Sequence, residues 1–392
     1  MLKDGIGRQE IFKILNEKLA QDLTYESGYI LGSMCTKPLD FGKEVYMNYI
    51  CKNLGDPGLF QGCAELEDEL ISDIGELFGH NNIIGTITTG GSEANLIAMR
   101  IAKKLRPDIK HPEIVAPLSA HVSFDKAEDL LGFKLKKAKL KKNFELDINH
   151  FESLINENTC GVVGIAGTTA LGLIDPIEKI SKIIEGRDIF FHVDAAFGGF
   201  VLPFLKELNY KIPSWDFRVK NLDSITADPH KMGLGIIPTG GFFLKDSTLL
   251  QKTGFEIPYL AGGTFKHFHI VGTRSGGTVV AFWAIMKYLG KNGFVKIVKE
   301  CMDNTNYLVK RISEIDGIKL AAEPTMNVVG ITTENGESVC EIDEELRKKN
   351  WMLGKFTKFN LIRVVVMPHV KKTHLQKFSL ELEHIVKKIG LS

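Results

Sequence analysis

No apolar run among the 392 residues approaches the ~18–20 residues that a membrane span demands, so no spanning helix is expected and the protein is read as having no membrane attachment. An excess of charge of one sign is also missing, because 49 lysines and arginines face 48 aspartates and glutamates for a formal charge of +1. That balance excludes the broad basic surface duplex nucleic acid requires and favours a small-molecule substrate. Cysteine is sparse and scattered. Cys35, Cys51, Cys63, Cys160, Cys301 and Cys340 form no C-x-x-C pair and follow no secretory signal, which argues against a disulfide scaffold and for reduced core thiols in the cytoplasm. Also absent are a Walker lysine, a complete G-x-G-x-x-G run, an H-E-x-x-H pair, repeats and low-complexity tracts.

The chain is longer than the ~250–300 residues at which single cores stop growing, so two lobes with a cleft are expected. Residues 1–60 read as an N-terminal helical arm, with helical patterns at Arg8–Leu23 and Phe41–Leu54 around a polar stretch at Ser27–Lys37. A third helix, Ala64–Phe78, carries Leu66, Leu70, Ile74 and Leu77 on one stripe. Residues 61–290 then alternate between strand-like runs (Ile83–Ile87, Ile114–Ala116, Cys160–Ala166, Ile189–Val193, Ser224–Ala227) and helix-like ones (Glu93–Leu105, Phe124–Leu131, Ile148–Ile155, Ile177–Glu185). Such alternation predicts a large α/β domain with a mostly parallel central sheet. The basic run Lys134–Lys142 reads as a strand or hairpin with a solvated lysine face, against the alternative of a polyanion site. Helices at Gly276–Leu289 and Phe294–Ile312 lead into a small C-terminal α+β lobe over 291–392, with strands Val328–Thr332 and Ile362–Met367 and helices Glu341–Lys349 and Leu375–Ile389.

Chemistry-bearing residues fall directly after the expected strands, where α/β folds bind ligands. Asp228-Pro229-His230-Lys231 sets a lysine beside a glycine-rich backbone; with its pKa lowered it is a Schiff-base nucleophile, and otherwise an ordinary loop lysine. His192-Val193-Asp194-Ala195-Ala196 ends a strand with a carboxylate suited to a pyridinium nitrogen, and the small Ala196 lets a flat ring approach. The same histidine and aspartate, with His121 and His230, also admit a metal-site reading. Gly90-Gly91-Ser92 at a strand-to-helix turn offers backbone N–H groups and a hydroxyl to a phosphate, or Ser92 is a plain N-cap. His121 is placed to stack on a planar cofactor, or is structural, and Gly167-Thr168-Thr169 ends another strand with hydroxyls.

With Ser92, His121, Asp194, Ala196 and Lys231 in this order, the sequence resembles the group II pyridoxal-dependent amino acid decarboxylases from about Asp56 to its end. The stretch from Pro258-Tyr259-Leu260-Ala261-Gly262-Gly263 to Gly272-Thr273-Arg274-Ser275 and the run Ile362-Arg363-Val364-Val365-Val366-Met367-Pro368-His369 look most like the archaeal L-tyrosine/L-aspartate decarboxylases. The resemblance implies the fold of the PLP-dependent transferases (aspartate aminotransferase, fold type I) and a homodimer with active sites at the interface. It implies pyridoxal 5'-phosphate as cofactor, Lys231 as its Schiff-base lysine, Asp194 on the ring nitrogen, His121 stacking and Ser92 on the phosphate. Gly91, Glu93, Thr168, Ala196 and His230 match neighbouring cofactor-lining positions, and Ser275 is expected to reach the phosphate from the partner subunit.

The implied reaction is loss of carbon dioxide from L-tyrosine, giving tyramine for methanofuran synthesis, or from L-aspartate, giving β-alanine for coenzyme A synthesis. Tyr259 is the candidate that protonates Cα, with His121 as the other. Arg363 either binds a substrate carboxylate or caps the small lobe. The alternatives are a carbon–carbon lyase of the sphingosine-phosphate lyase type, a metallohydrolase and a catalytically inactive binding module; the last is opposed by an intact Lys231.

Overall fold

The computed structural model describes residues 4–391. Two helices come first, α1 (Arg8–Leu19) and α2 (Asp40–Tyr49). α1 buries none of its residues, leaving Ile11, Phe12, Leu15 and Leu19 exposed. The polar stretch between the helices instead enters the body of the molecule. Ile30 bridges to Met352, Leu31 is wholly buried with its carbonyl accepting the Val365 N–H, and Met34 reaches the central cleft. So short an apolar segment carries no period for a sequence pattern to reveal. In α3 (Gln61–Leu77) the expected stripe is present, with Leu70 and Ile74 buried and Leu66 and Leu77 packed against the same cluster.

The main sheet follows from β1 (Ile84–Thr88), β2 (Glu113–Pro117), β3 (Lys134–Ala138), β4 (Thr159–Ile165), β5 (Phe190–Asp194), β6 (Ser224–Ala227) and β7 (Gly240–Leu244). Its spatial order is β1-β7-β6-β5-β4-β2-β3, parallel from β6 to β3, with β7 antiparallel to both β1 and β6. Helices α4 (Gly91–Leu105), α5 (Ser123–Leu131), α6 (Ile148–Ser153), α7 (Ile177–Ile183) and α8 (Leu202–Glu207) connect these strands, and α9 (Thr248–Thr253) follows the last of them. Adjacent residues of one strand enter different cores: Val162 and Phe191 join one cluster, Val163 and Phe190 the other. The sheet is therefore covered on both faces, which is why its strands read as unbroken apolar runs. β3 carries the basic run along the sheet edge, where Lys136 pairs with Glu113 and Lys137 with Asp125.

A hairpin of β8 (Phe255–Leu260) and β9 (Gly263–His267) precedes α10 (Gly276–Ile312). The two helices expected there are present as the two halves of α10, divided at Gly290, whose φ of 53° and ψ of −174° are not helical. The chain ends with β10 (Ile318–Leu320), β11 (Val328–Thr333), α11 (Cys340–Lys348), β12 (Gly354–Phe356), β13 (Leu361–Val365) and α12 (Lys372–Lys388). Its strands form an antiparallel sheet in the order β10-β11-β13-β12. Phe282, Leu308, Val328 and Val364 share one cluster with Val162, so α10 carries a continuous core between the two sheets. All six cysteines are free, but only Cys63, Cys160 and Cys301 are core thiols; Cys51 is exposed. Among the described residues no helix is long and apolar enough to cross a membrane.

Candidate active site

The strand ends of the main sheet converge on a cavity of about 300 Å³. Gly90 and Gly91 reach it from the end of β1, Gly167 from β4, Asp194 from β5 and Asp228 from β6. Eight of the residues singled out by sequence line it together: Gly91, Ser92, Glu93, His121, Asp194, Ala196, His230 and Lys231.

Backbone geometry explains the glycines at one end. Gly90 has φ of +149°, a value that residues with a side chain rarely adopt. A Cβ on Gly91 would stand 2.8 Å from Asp228 Oδ2 and 3.1 Å from the Ala196 methyl, so only glycine fits. The N-terminus of the 15-residue α4 thus opens onto the cavity with Ser92 exposed beside it, a seat for an anion.

Lys231 reaches the cavity with its Nζ 3.0 Å from Asp228 Oδ2. Burial acts against its charge, but Asp228 and Asp194 outweigh burial and hold the amine above its ordinary range. The expectation of a lowered pKa is therefore reversed, because two carboxylates face one ammonium. Asp228, to which the motif reading gave no role, is the carboxylate that meets the amine. It is almost wholly buried, and its Oδ1 has no hydrogen-bond partner. Its signal was available: a carboxylate three residues before the lysine in a strand-end turn.

Asp194 presents its carboxylate with Oδ1 accepting the Ala196 N–H at 3.0 Å and Oδ2 accepting from Asn95 Nδ2 at 2.9 Å. His121 has Nδ1 occupied by the Ser123 N–H at 3.2 Å, and burial lowers its pKa against the opposing pull of Asp194. A neutral imidazole results at neutral pH. His230 accepts the Thr239 N–H at Nδ1 and is likewise lowered by burial. His192, a member of the metal reading, has one ring nitrogen on Ser224 and the other on Asn95. Among the described residues no group of three or more histidine, cysteine or carboxylate side chains is placed to hold a metal ion.

Four expected site residues lie elsewhere. Thr168 is buried with Oγ1 accepting the Leu173 N–H, and it is Thr169 that lines the cavity. Ser275 caps α10, accepting the Thr278 N–H at 3.3 Å. Tyr259 stands 81% exposed on the β8–β9 hairpin. Arg363 is buried in β13, donating to the carbonyls of Thr169 and Gly32, while its Nε finds no partner. Burial with no opposing carboxylate pushes its pKa down to about 10. Arg274 also leaves its Nε without a partner, but its Nη groups meet a carboxylate, Glu67, at 2.6 and 2.9 Å. Glu93 lines the cavity, but its oxygens accept from Thr89 and from the Ile270 and Val271 N–H groups, tying the segment after β9 to the glycine turn.

A primary amine at Lys231, a carboxylate at Asp194 and a glycine seat for an anion, set around one cavity, match the three functional ends of pyridoxal phosphate. The description Pyridoxal-dependent decarboxylase conserved domain matches residues 61–333. The chain belongs to the pyridoxal-dependent decarboxylase family. Its cofactor is pyridoxal phosphate, and its activity is decarboxylation of an amino acid. The L-aspartate/L-glutamate decarboxylase of Pyrococcus horikoshii is 42% identical over 97% of this chain and 98% of its own. The probable L-tyrosine/L-aspartate decarboxylase of Methanothermobacter thermautotrophicus is 43% identical over 93% of this chain and 99% of its own. Among solved structures, sphingosine-1-phosphate lyase of Burkholderia pseudomallei superposes with a TM-score of 0.90 at 25% identity, covering 99% of this chain and 92% of that one. Glutamate decarboxylase of Lactobacillus brevis gives 0.88 at 22% identity, covering 99% and 94%. The α/β fold with a mostly parallel sheet, expected from the sequence, is the one these neighbours share.

Proposed function

We propose that this decarboxylase converts L-aspartate to β-alanine and accepts L-tyrosine as a second substrate, giving tyramine, and that it works as a cytoplasmic homodimer. Aspartate comes first because it stands in the names of the relatives in Pyrococcus and Methanothermobacter. β-Alanine would feed coenzyme A synthesis and tyramine methanofuran synthesis. Six free thiols suit a reducing compartment.

The observation that carries the substrate reading is Arg363. A buried guanidinium with no carboxylate partner stands directly behind Thr169, which lines the cavity. An amino acid carboxylate supplies the missing charge. In this reading Arg363 fixes the group that leaves, Gly91, Ser92 and His230 hold the cofactor phosphate with Ser275 of the partner subunit, and Ala196, Thr168 and Glu93 shape the pocket. When bound, the pyridoxal ring supplies the electron sink for the pair left as carbon dioxide departs. Asp194 would pair with the ring nitrogen and keep it protonated, His121 would stack on the ring, and Lys231 would anchor the cofactor with Asp228 as its counter-ion. Tyr259 delivers a proton to Cα, with His121 as the other candidate.

The test is mass spectrometry of products after the cofactor-loaded protein is given equal L-aspartate, L-tyrosine and L-glutamate. β-Alanine as main product with some tyramine is expected. Tyramine alone would reverse the order of substrates, and no amine from any of the three would overturn the proposal in favour of carbon–carbon cleavage.

A further inference from the structure

The orientation of Asp194 is set by a chain of buried groups. Its Oδ2 accepts from Asn95 Nδ2 at 2.9 Å, and an ionised carboxylate can only accept, so the Asn95 amide must turn its nitrogen to that side. The same nitrogen donates to Ser123 Oγ at 3.0 Å. The amide oxygen is then left facing His192 Nε2 at 3.0 Å, where only an N–H satisfies it. Thr226 Oγ1 lies 3.3 Å from the same nitrogen. Nδ1 accepts from the Ser224 hydroxyl at 2.8 Å. The Nε2–H tautomer of His192 satisfies the Asn95 oxygen and the Ser224 hydroxyl together. Burial pushes this imidazole down to about 4 despite the nearby Asp194, so it is neutral throughout the working range.

Asn95 also lies one helical turn beyond Gly91, so α4 sets the anion seat with its first residue and the amide that holds Asp194 with its fifth. The two ends of a flat cofactor are thereby referred to one rigid element. We infer that Asn95, fixed by neutral His192, is a positioning residue that aims the free lone pairs of Asp194 at the cofactor ring nitrogen. The inference rests on Asp194 being the partner of that nitrogen.

The test compares, on full-length protein stripped of cofactor, the Kd of pyridoxal phosphate with that of its carbocyclic analogue, in which the ring nitrogen is replaced by C–H. Wild type should prefer pyridoxal phosphate by on the order of ten- to a hundredfold, the worth of a hydrogen bond to a charged group. Asn95→Leu and His192→Phe should lose that preference while binding the analogue as before. His192→Gln, able to donate to Asn95 and accept from Ser224, should keep it. Equal weakening of both ligands in Asn95→Leu, or an undiminished preference, overturns the positioning role. A wild type that does not distinguish the two ligands overturns the Asp194 reading itself and this inference with it. Independently of any variant, nitrogen NMR of labelled His192 should report the Nε2–H tautomer; a proton on Nδ1 or an imidazolium overturns the inference.

Discussion

A lysine amine attacks a carbonyl only after losing its proton, and Lys231 is held in its charged form by Asp228 at 3.0 Å. Replacing Asp228 with asparagine keeps the shape and removes the charge that offsets burial, so the amine should deprotonate at lower pH. Capture of pyridoxal phosphate by Lys231, trapped with borohydride and counted by mass spectrometry, is expected to extend to lower pH in Asp228→Asn; an unmoved profile would contradict the counter-ion role. Arg363→Ala should raise the Michaelis constant roughly ten- to a hundredfold, the worth of a charge-assisted hydrogen-bond pair, with a smaller effect on turnover. Unchanged steady-state kinetics would place Arg363 in the scaffold alone. Lys231, Asp194 and the glycine turn were legible in the sequence because each closes a strand within a short motif. Asn95 and His192 were not read as partners, since they are brought together through space by α4 and β5 and no spacing along the chain announces it.

Strand recognition from apolar runs worked for β2, β4, β5 and β6 because parallel strands covered on both faces carry little polar signal. β7 escaped it. Its first residues, Gly240 and Gly241, carry no apolar side chain for such a run, and the strand passes against Gly90, where a Cβ on Gly240 would stand 2.4 Å from the Gly90 backbone. The strand ends also hold two carboxylates that accept backbone N–H groups, Asp175 from Ile165 and Asp223 from Phe191. Burial pushes Asp175 up to about 7 against the opposing Ile165 N–H, and Asp223 up to about 6. Between pH 4 and 7 the folded chain therefore keeps protons that the unfolded chain has released, so stability falls as pH rises through that window. Asp175→Asn retains an oxygen acceptor and removes the titration. Thermal unfolding should show the variant more stable than wild type at pH 8, by roughly 4 kcal/mol, and little gain at pH 4. A gain independent of pH would point to packing.

At the scale of the whole molecule, the single chain leaves an apolar helix uncovered and Tyr259 outside the cavity. Phe12, Leu15 and Leu19 lie open on α1, and Phe41, Met47 and Tyr49 are exposed on α2, apolar surface of the kind a second copy buries. Tyr259 points to the same arrangement. It stands away from the cavity of its own chain on a hairpin whose tip is held by Asp56, which accepts the Ala261 N–H at 2.9 Å. If the hairpin of one subunit completes the site of the other, two inactive variants should repair each other. Lys231→Ala lacks the anchoring amine and Tyr259→Phe lacks the proton donor, but a hybrid dimer has one site with both residues intact. Half of a randomly reassociated mixture is hybrid and half of its sites are whole, so about a quarter of wild-type activity should return on mixing after dissociation. Activity that stays at the level of the separate variants would place Tyr259 outside the partner's site and leave His121 as the donor to Cα.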